Sequence, residues 1–232
     1  MIEKKIDENI ENVFGNIQKA AIKSNRKVED IKLITVTKTI DVDIMNYVLK
    51  KGLNNFGENR VQELSEKYNQ FQETIKWHLI GHLQRNKVKD IIDKVELVHS
   101  VDSYRLMEEI NRQALKVNKK MPILIQVNVA EEESKYGIKM KEIDNFIKEA
   151  GFYENILVKG LMTIAPYEKN SNLVRPIFME LKEKYDRIKK MENNNIEFEY
   201  LSMGMTNDYI IAIEEGSNMV RIGSGIFGKR NL

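Results

Sequence analysis

At 232 residues, with 37 Lys plus Arg against 35 Asp plus Glu, the chain carries a net charge of +2 and has no cysteine. That balance gives no electrostatic basis for nucleic acid as the main partner. The missing cysteines exclude disulfides, thiolate catalysis and Cys-based metal sites. No apolar run approaches the roughly 18 residues of a membrane span, and MIEKKIDENI has no signal-peptide core, so a cytoplasmic protein is expected. His78, His82 and His99 lack the spacing of an HExxH metal site.

Ile6, Ile10, Val13, Phe14, Ile17 and Ala21 recur at helical spacing, which predicts an amphipathic helix over 3–23. An alternation then begins. Strand 31–37 is followed by helix 43–51, strand 54–56 by helix 58–69, and strand 75–80 by helix 84–93. Strand 97–100 precedes a long helix to Asn118, with Ser103 as its N-cap. Strand 122–129 precedes helix 140–150, and strand 157–163 precedes helix 172–192. Strand 198–202, helix 207–215 stopped by Gly216, and strand 219–223 complete the series. Eight βα units after one extra helix predict an α/β fold, a single (β/α)8 barrel of the TIM type, with a doubly wound open sheet as the alternative. With three prolines and no low-complexity linker, one domain over 1–232 is expected, comprising an N-terminal helix in 1–30 and a barrel in 31–228.

In such a barrel the carboxyl ends of all strands face one mouth. Ile34, Val36 and Lys38 share one face of the first strand by period two, so Lys38 is expected at that mouth rather than in the sheet, where a lysine is costly. LSMGMTND, with Ser202, Gly204 and Thr206, and RIGSG, with Gly223, Ser224 and Gly225, follow strands seven and eight, where barrels of this type bind phosphate. Arg221 lies within the apolar run MVRIG. Such an arginine needs an anionic or hydrogen-bonding partner, either a mouth carboxylate such as Glu58 or a bound heterocycle. An amine, a phosphate cradle and an arginine around one mouth suit a phosphorylated aldehyde, which describes pyridoxal 5′-phosphate.

TVTKT, FGENRVQE, WHLIGHLQRNK, HSVDS, LIQVNVAEEESKYG, GLMTI and LSMGMTNDYIIAIEEGSNMVRIGSGIFG resemble, in order, the pyridoxal phosphate homeostasis proteins of the YggS/PROSC group. The resemblance covers Ile31 to Gly228 and implies a barrel similar to the amino-terminal domain of bacterial alanine racemase. It further implies pyridoxal phosphate as a Schiff base on Lys38, cofactor contacts from Asn59, Ser202, Met203, Gly204, Gly223 and Ser224, and Arg221 facing the pyridine nitrogen. Ser224 stands where threonine is frequent in the family and Thr206 where serine is frequent, and both keep the hydroxyl.

A carrier that holds, buffers and delivers pyridoxal phosphate, with PLP-dependent apo-enzymes as recipients and a monomeric state, is the expectation. The alternative is a small PLP-dependent amino-acid racemase with Tyr136 or Tyr167 as a substitute base. That alternative is weakened because the chain ends at Leu232 with no second domain to supply the usual tyrosine. A third reading is a sugar-phosphate barrel using Lys38 as an aldolase-type amine. Lys135 is a rival to Lys38 for the cofactor.

Overall fold

The computed structural model describes residues 2–71, 75–166, 171–190 and 195–228. Eight parallel strands close on themselves in sequence order: β1 (Lys32–Val36), β2 (Asn55–Glu58), β3 (Lys76–Leu79), β4 (Leu97–Val101), β5 (Met121–Gln126), β6 (Ile156–Met162), β7 (Ile196–Ser202) and β8 (Met219–Ile222). Closure excludes the doubly wound open sheet. The helices are α1 (Ile2–Lys23), α2 (Val42–Lys50), α3 (Val61–Tyr68), α4 (Tyr104–Lys116), α5 (Ile143–Ala150), α6 (Arg175–Lys189), α7 (Tyr209–Glu214) and α8 (Ser224–Phe227). None among the described residues is long and apolar enough to cross a membrane.

The pleat sorts each strand into two environments. Leu33, Phe56, Trp77, Leu79, Ile123 and Ile125 face outward and pack with the buried helix stripes, such as Leu106, Met107 and Ile110 of α4 and Phe178, Leu181 and Ile188 of α6. Each such side chain contributes about 1.5–3 kcal/mol when fully buried. The inward set is smaller: Ile34, Val36, Ile80, Leu97, Leu124, Met162 and Met219 form a separate apolar cluster. Polar groups fill the rest of the interior. Arg221 sits opposite Ile34 in the β1–β8 register, and His78 opposite Gly57 in the β2–β3 register.

Several boundaries differ from the sequence expectation for identifiable reasons. β2 runs on through Gly57 and Glu58, which pair with His78 and Leu79, so α3 starts at Val61 rather than at Glu58. Residues 84–93 contain a short 3-10 helix, Arg85–Asp90, not an α-helix. Val88, Ile91, Ile92 and Val95 keep their helical spacing and are all buried. The chain must nevertheless join the sheet at once, where Glu96 N–H donates to the Trp77 carbonyl at 2.8 Å. β5 ends at Gln126 because the following loop turns back on it, with Asn128 and Ile138 exchanging backbone contacts with that segment. Ser103 occupies the N-cap position of α4 without a capping side-chain bond. At the irregularity in the β6–β7 pairing, Gly160 has φ +144°, and a Cβ there would lie 1.8 Å from the Tyr200 carbonyl oxygen, so only glycine fits.

Candidate functional site

Lys38 is half-buried and sits in the turn just beyond β1, at the mouth. The residues on either side of it are pinned. Thr37 N–H donates to the Gly57 carbonyl at 3.1 Å, and its hydroxyl donates to Glu58 Oε1 at 2.7 Å. Thr39 has φ +60°, a rare conformation for a β-branched residue, and its N–H donates to the Glu63 carboxylate. Lys67 of α3 joins these groups, its Nζ donating to Thr37 O at 2.7 Å, Glu58 Oε1 at 2.8 Å and Glu63 Oε1 at 2.6 Å. Burial raises the Glu58 carboxyl above its ordinary range, opposed by the bonds from Lys67 and Thr37. Glu58 therefore serves the outer face of β2 and the turn carrying Lys38. It is not the partner of Arg221.

Arg221 is 3% exposed. Its hydrogen bonds among the described residues go to neutral acceptors: Nη1 donates to Ser202 O at 3.0 Å and Ser202 Oγ at 2.6 Å, and Nη2 donates to Thr163 O at 2.8 Å. Burial lowers the guanidinium pKa to about 10, with the Asp208 charge opposing the shift. It remains a cation at neutral pH. Ser202 is fully buried, and its hydroxyl also lies 3.4 Å from His99 Nδ1.

The loops after β7 and β8 meet through hydroxyls. Thr206 Oγ1 accepts from Gly225 N–H at 3.2 Å and lies 3.2 Å from Ser224 Oγ. Gly223 is the N-cap of α8, and a Cβ on it would stand 3.2 Å from both Val36 Cβ and Val36 O. The β8 loop thus runs close against the end of β1, and α8 closes on it with Ile226 N–H and Phe227 N–H donating to the Gly223 carbonyl at 2.9 and 3.0 Å. Gly204 O accepts the Arg221 backbone N–H at 3.0 Å, and Met203 is buried in the layer between barrel and helices.

On the β2–β3 side, Asn59, Arg60, Gln62, His82, Gln84 and Lys87 line a cavity of about 500 Å³. His82 Nδ1 lies 3.5 Å from Asp102 Oδ2, and its ring stacks on Tyr136 at 3.9 Å. Burial pushes the Asp102 carboxyl up, with His82 opposing. Tyr136 is 58% exposed, and Lys135 beside it is exposed. Tyr167 lies outside the described residues. Sequence reasoning missed Glu63 and Lys67, whose i,i+4 spacing was visible, and the inward-facing His78 and His99, each carried in an apolar strand.

Residues 9–231 match the alanine racemase N-terminal domain family. The pyridoxal phosphate homeostasis protein of Aquifex aeolicus (strain VF5) is 40% identical over 224 residues, covering 96% of this chain and 97% of that protein. The chain belongs to the pyridoxal phosphate homeostasis family. A solved structure of an unknown protein from Bifidobacterium adolescentis shares its fold at TM-score 0.90 and 30% identity, covering 97% of this chain and 95% of that one. PipY of Synechococcus elongatus PCC7942, solved with PLP bound, matches at TM-score 0.78 and 26% identity, covering 86% and 93% of the two chains. Lys38 and the joined loops after β7 and β8 follow the carboxyl ends of their strands, and Arg221 lies one residue before the end of β8.

Proposed function

We propose that this chain binds pyridoxal 5′-phosphate at the barrel mouth, holds it on Lys38, and buffers and passes it to PLP-dependent apo-enzymes in the cytoplasm. The observation that carries the reading is Arg221, a buried cation held by neutral acceptors, in the strand between the Lys38 turn and the joined glycine loops. A solved relative with PLP bound supports the ligand. Of the five N–H groups of a guanidinium, three are taken by described residues, leaving donors for a ring nitrogen acceptor. Gly223, Ser224, Gly225 and Thr206, with the Met203–Gly204 backbone at the rim, hold the phosphate by backbone N–H groups and hydroxyls. Ser202 acts through Arg221, and Asn59 borders the ring from the β2 side.

The cofactor supplies an aldehyde and an electron-withdrawing ring. With PLP bound, the Lys38 amine would condense with its aldehyde, releasing water, on a turn that Glu58, Glu63 and Lys67 hold by hydrogen bonds. A cation facing the ring nitrogen keeps that nitrogen unprotonated, which weakens the ring as an electron sink and suits a carrier better than a racemase.

Borohydride treatment of the PLP-loaded protein, followed by peptide mapping, tests the reading. We expect a visible absorbance band and one fixed adduct on Lys38, with both lost in Lys38→Ala. An adduct on Lys135, or a colourless protein with PLP present, overturns it. Measurable D/L interconversion across amino acids would move the assignment to the racemase.

A further inference from the structure

Below Arg221 a row of buried side chains crosses the barrel interior. Ser202 Oγ lies 3.4 Å from His99 Nδ1, His99 Nε2 lies 3.1 Å from His78 Nδ1, and His78 Nε2 lies 3.4 Å from Asn55 Oδ1. His78 is 2% exposed and His99 0%. The ring edges meet in a T-shaped contact at 5.2 Å between centroids.

The two ends of this row decide where every hydrogen sits. Arg221 can only donate, so Ser202 Oγ accepts from it and gives its own hydrogen onward. At the far end Asn55 Nδ2 donates to Asn54 Oδ1 at 3.0 Å, which turns the Asn55 carbonyl oxygen toward His78. That oxygen only accepts, so His78 Nε2 carries the hydrogen. A neutral imidazole carries one, so His78 Nδ1 accepts from His99 Nε2–H, and His99 Nδ1 accepts from the Ser202 hydroxyl. The charged groups acting on the two rings, Arg221, Lys32 and Lys76, are all cations. Burial and these charges favour the neutral form of both.

We infer that His78 and His99 are positioning residues, which as neutral Nε2–H tautomers direct the Ser202 hydroxyl and hold the Arg221 guanidinium in one orientation toward the mouth. Without His99 the Ser202 hydroxyl rotor is unconstrained. Without the Asn55 carbonyl only the Ser202 hydroxyl, a rotor, directs the two imidazoles. The inference rests on the reading that Arg221 faces the cofactor ring, but the tautomers themselves do not depend on it.

The first test uses the wild-type protein labelled with 15N-histidine and long-range 1H–15N correlation. We expect His78 and His99 as Nε2–H tautomers that do not titrate between pH 8 and pH 5.5. An Nδ1–H tautomer at either ring, or titration in that range, overturns the inference. In Asn55→Leu the row loses its terminal acceptor, and we expect mixed tautomers at both rings; unchanged tautomers overturn the directional argument. The second test adds PLP. His99→Phe is expected to shift the visible band and weaken PLP binding about fivefold, the worth of one neutral hydrogen bond. If His99→Phe does not fold, Asn55→Leu is read in the same way, with a shifted band expected. A wild-type band and affinity in the folded variant overturn the positioning role. If Arg221→Lys also keeps the wild-type band, the placement of Arg221 against the ring has failed and the role toward the cofactor falls with it, while the tautomers stand.

Discussion

Gly223 sets how closely the β8 loop approaches β1. A valine there would meet Val36 within 3.2 Å and crowd the first turn of α8. We expect Gly223→Val to weaken PLP binding by about 1.5–3 kcal/mol, the scale of a hydrogen bond to a charged group, and to leave unphosphorylated pyridoxal nearly unaffected. Equal weakening of both, in parallel absorbance titrations, would place the phosphate elsewhere. The buried histidines make a second prediction. Burial lowers the pKa of His78 from 6.5 to about 3 and that of His99 well below its ordinary value. The unfolded chain therefore binds protons below pH 6.5 that the folded chain refuses, so stability is full above that pH and falls as pH drops toward the folded value. Each histidine is expected to cost about 2 kcal/mol at pH 5, a loss read from urea midpoints and reduced in a His78→Asn, His99→Asn pair if that variant folds. A flat profile from pH 7 to pH 5 would contradict the neutral pair.

Between β2 and α3 the Glu58–Lys67 ion pair is almost wholly buried, its two side chains 0% and 9% exposed. Removing one partner strands the other, so Lys67→Met is expected to lose about 3–5 kcal/mol, whereas Glu58→Leu with Lys67→Met recovers most of it. Denaturant titration of the single and double variants measures this, and additive losses would argue against the coupling. The strand–helix series could be read from the sequence because each strand is a short apolar run and most helices carry a clear amphipathic stripe. Lys38, Arg221, Gly223 and Ser224 could be singled out because their chemistry is out of place in such runs or follows them directly. The roles of Glu58 and Lys67 could not, because they depend on which face β2 turns outward, and that is fixed by Gly57 and Glu58, which local pattern left outside the strand, assigning Glu58 to the helix. The facing of His78 and His99 likewise depends on pairing between strands, which no single segment encodes.

The barrel closes most thinly between β7 and β8, where Ser202 and Met219 form the registered pair. Side chains reinforce that seam. Asn218 Oδ1 accepts Leu201 N–H at 2.7 Å while its Nδ2 donates to Glu199 O at 2.6 Å, and buried Ser217 Oγ lies within 3.1 Å of the Leu201, Met203 and Met219 carbonyls. Asn218→Leu is expected to cost roughly 1–3 kcal/mol and to speed amide exchange in β7 and β8 ahead of the other strands. Uniform exchange around the barrel would show that the seam is not the weak point. The first helix is fastened to this same sector. Asn9 Nδ2 donates to Ile226 O at 2.8 Å, Asn16 Nδ2 to Tyr209 Oη at 3.1 Å, and Arg26 to Ser217 O at 2.8 Å. A ribosome makes α1 and β1 first and their partners α7, β8 and α8 some 200 residues later. At translation rates of about 5–20 residues per second, α1 waits ten seconds or more for the surface that buries Ile6, Val13 and Ile17. Throughout that interval its apolar stripe is open to chaperones, and the loops after β7 and β8 can be assembled only as the last of the barrel emerges.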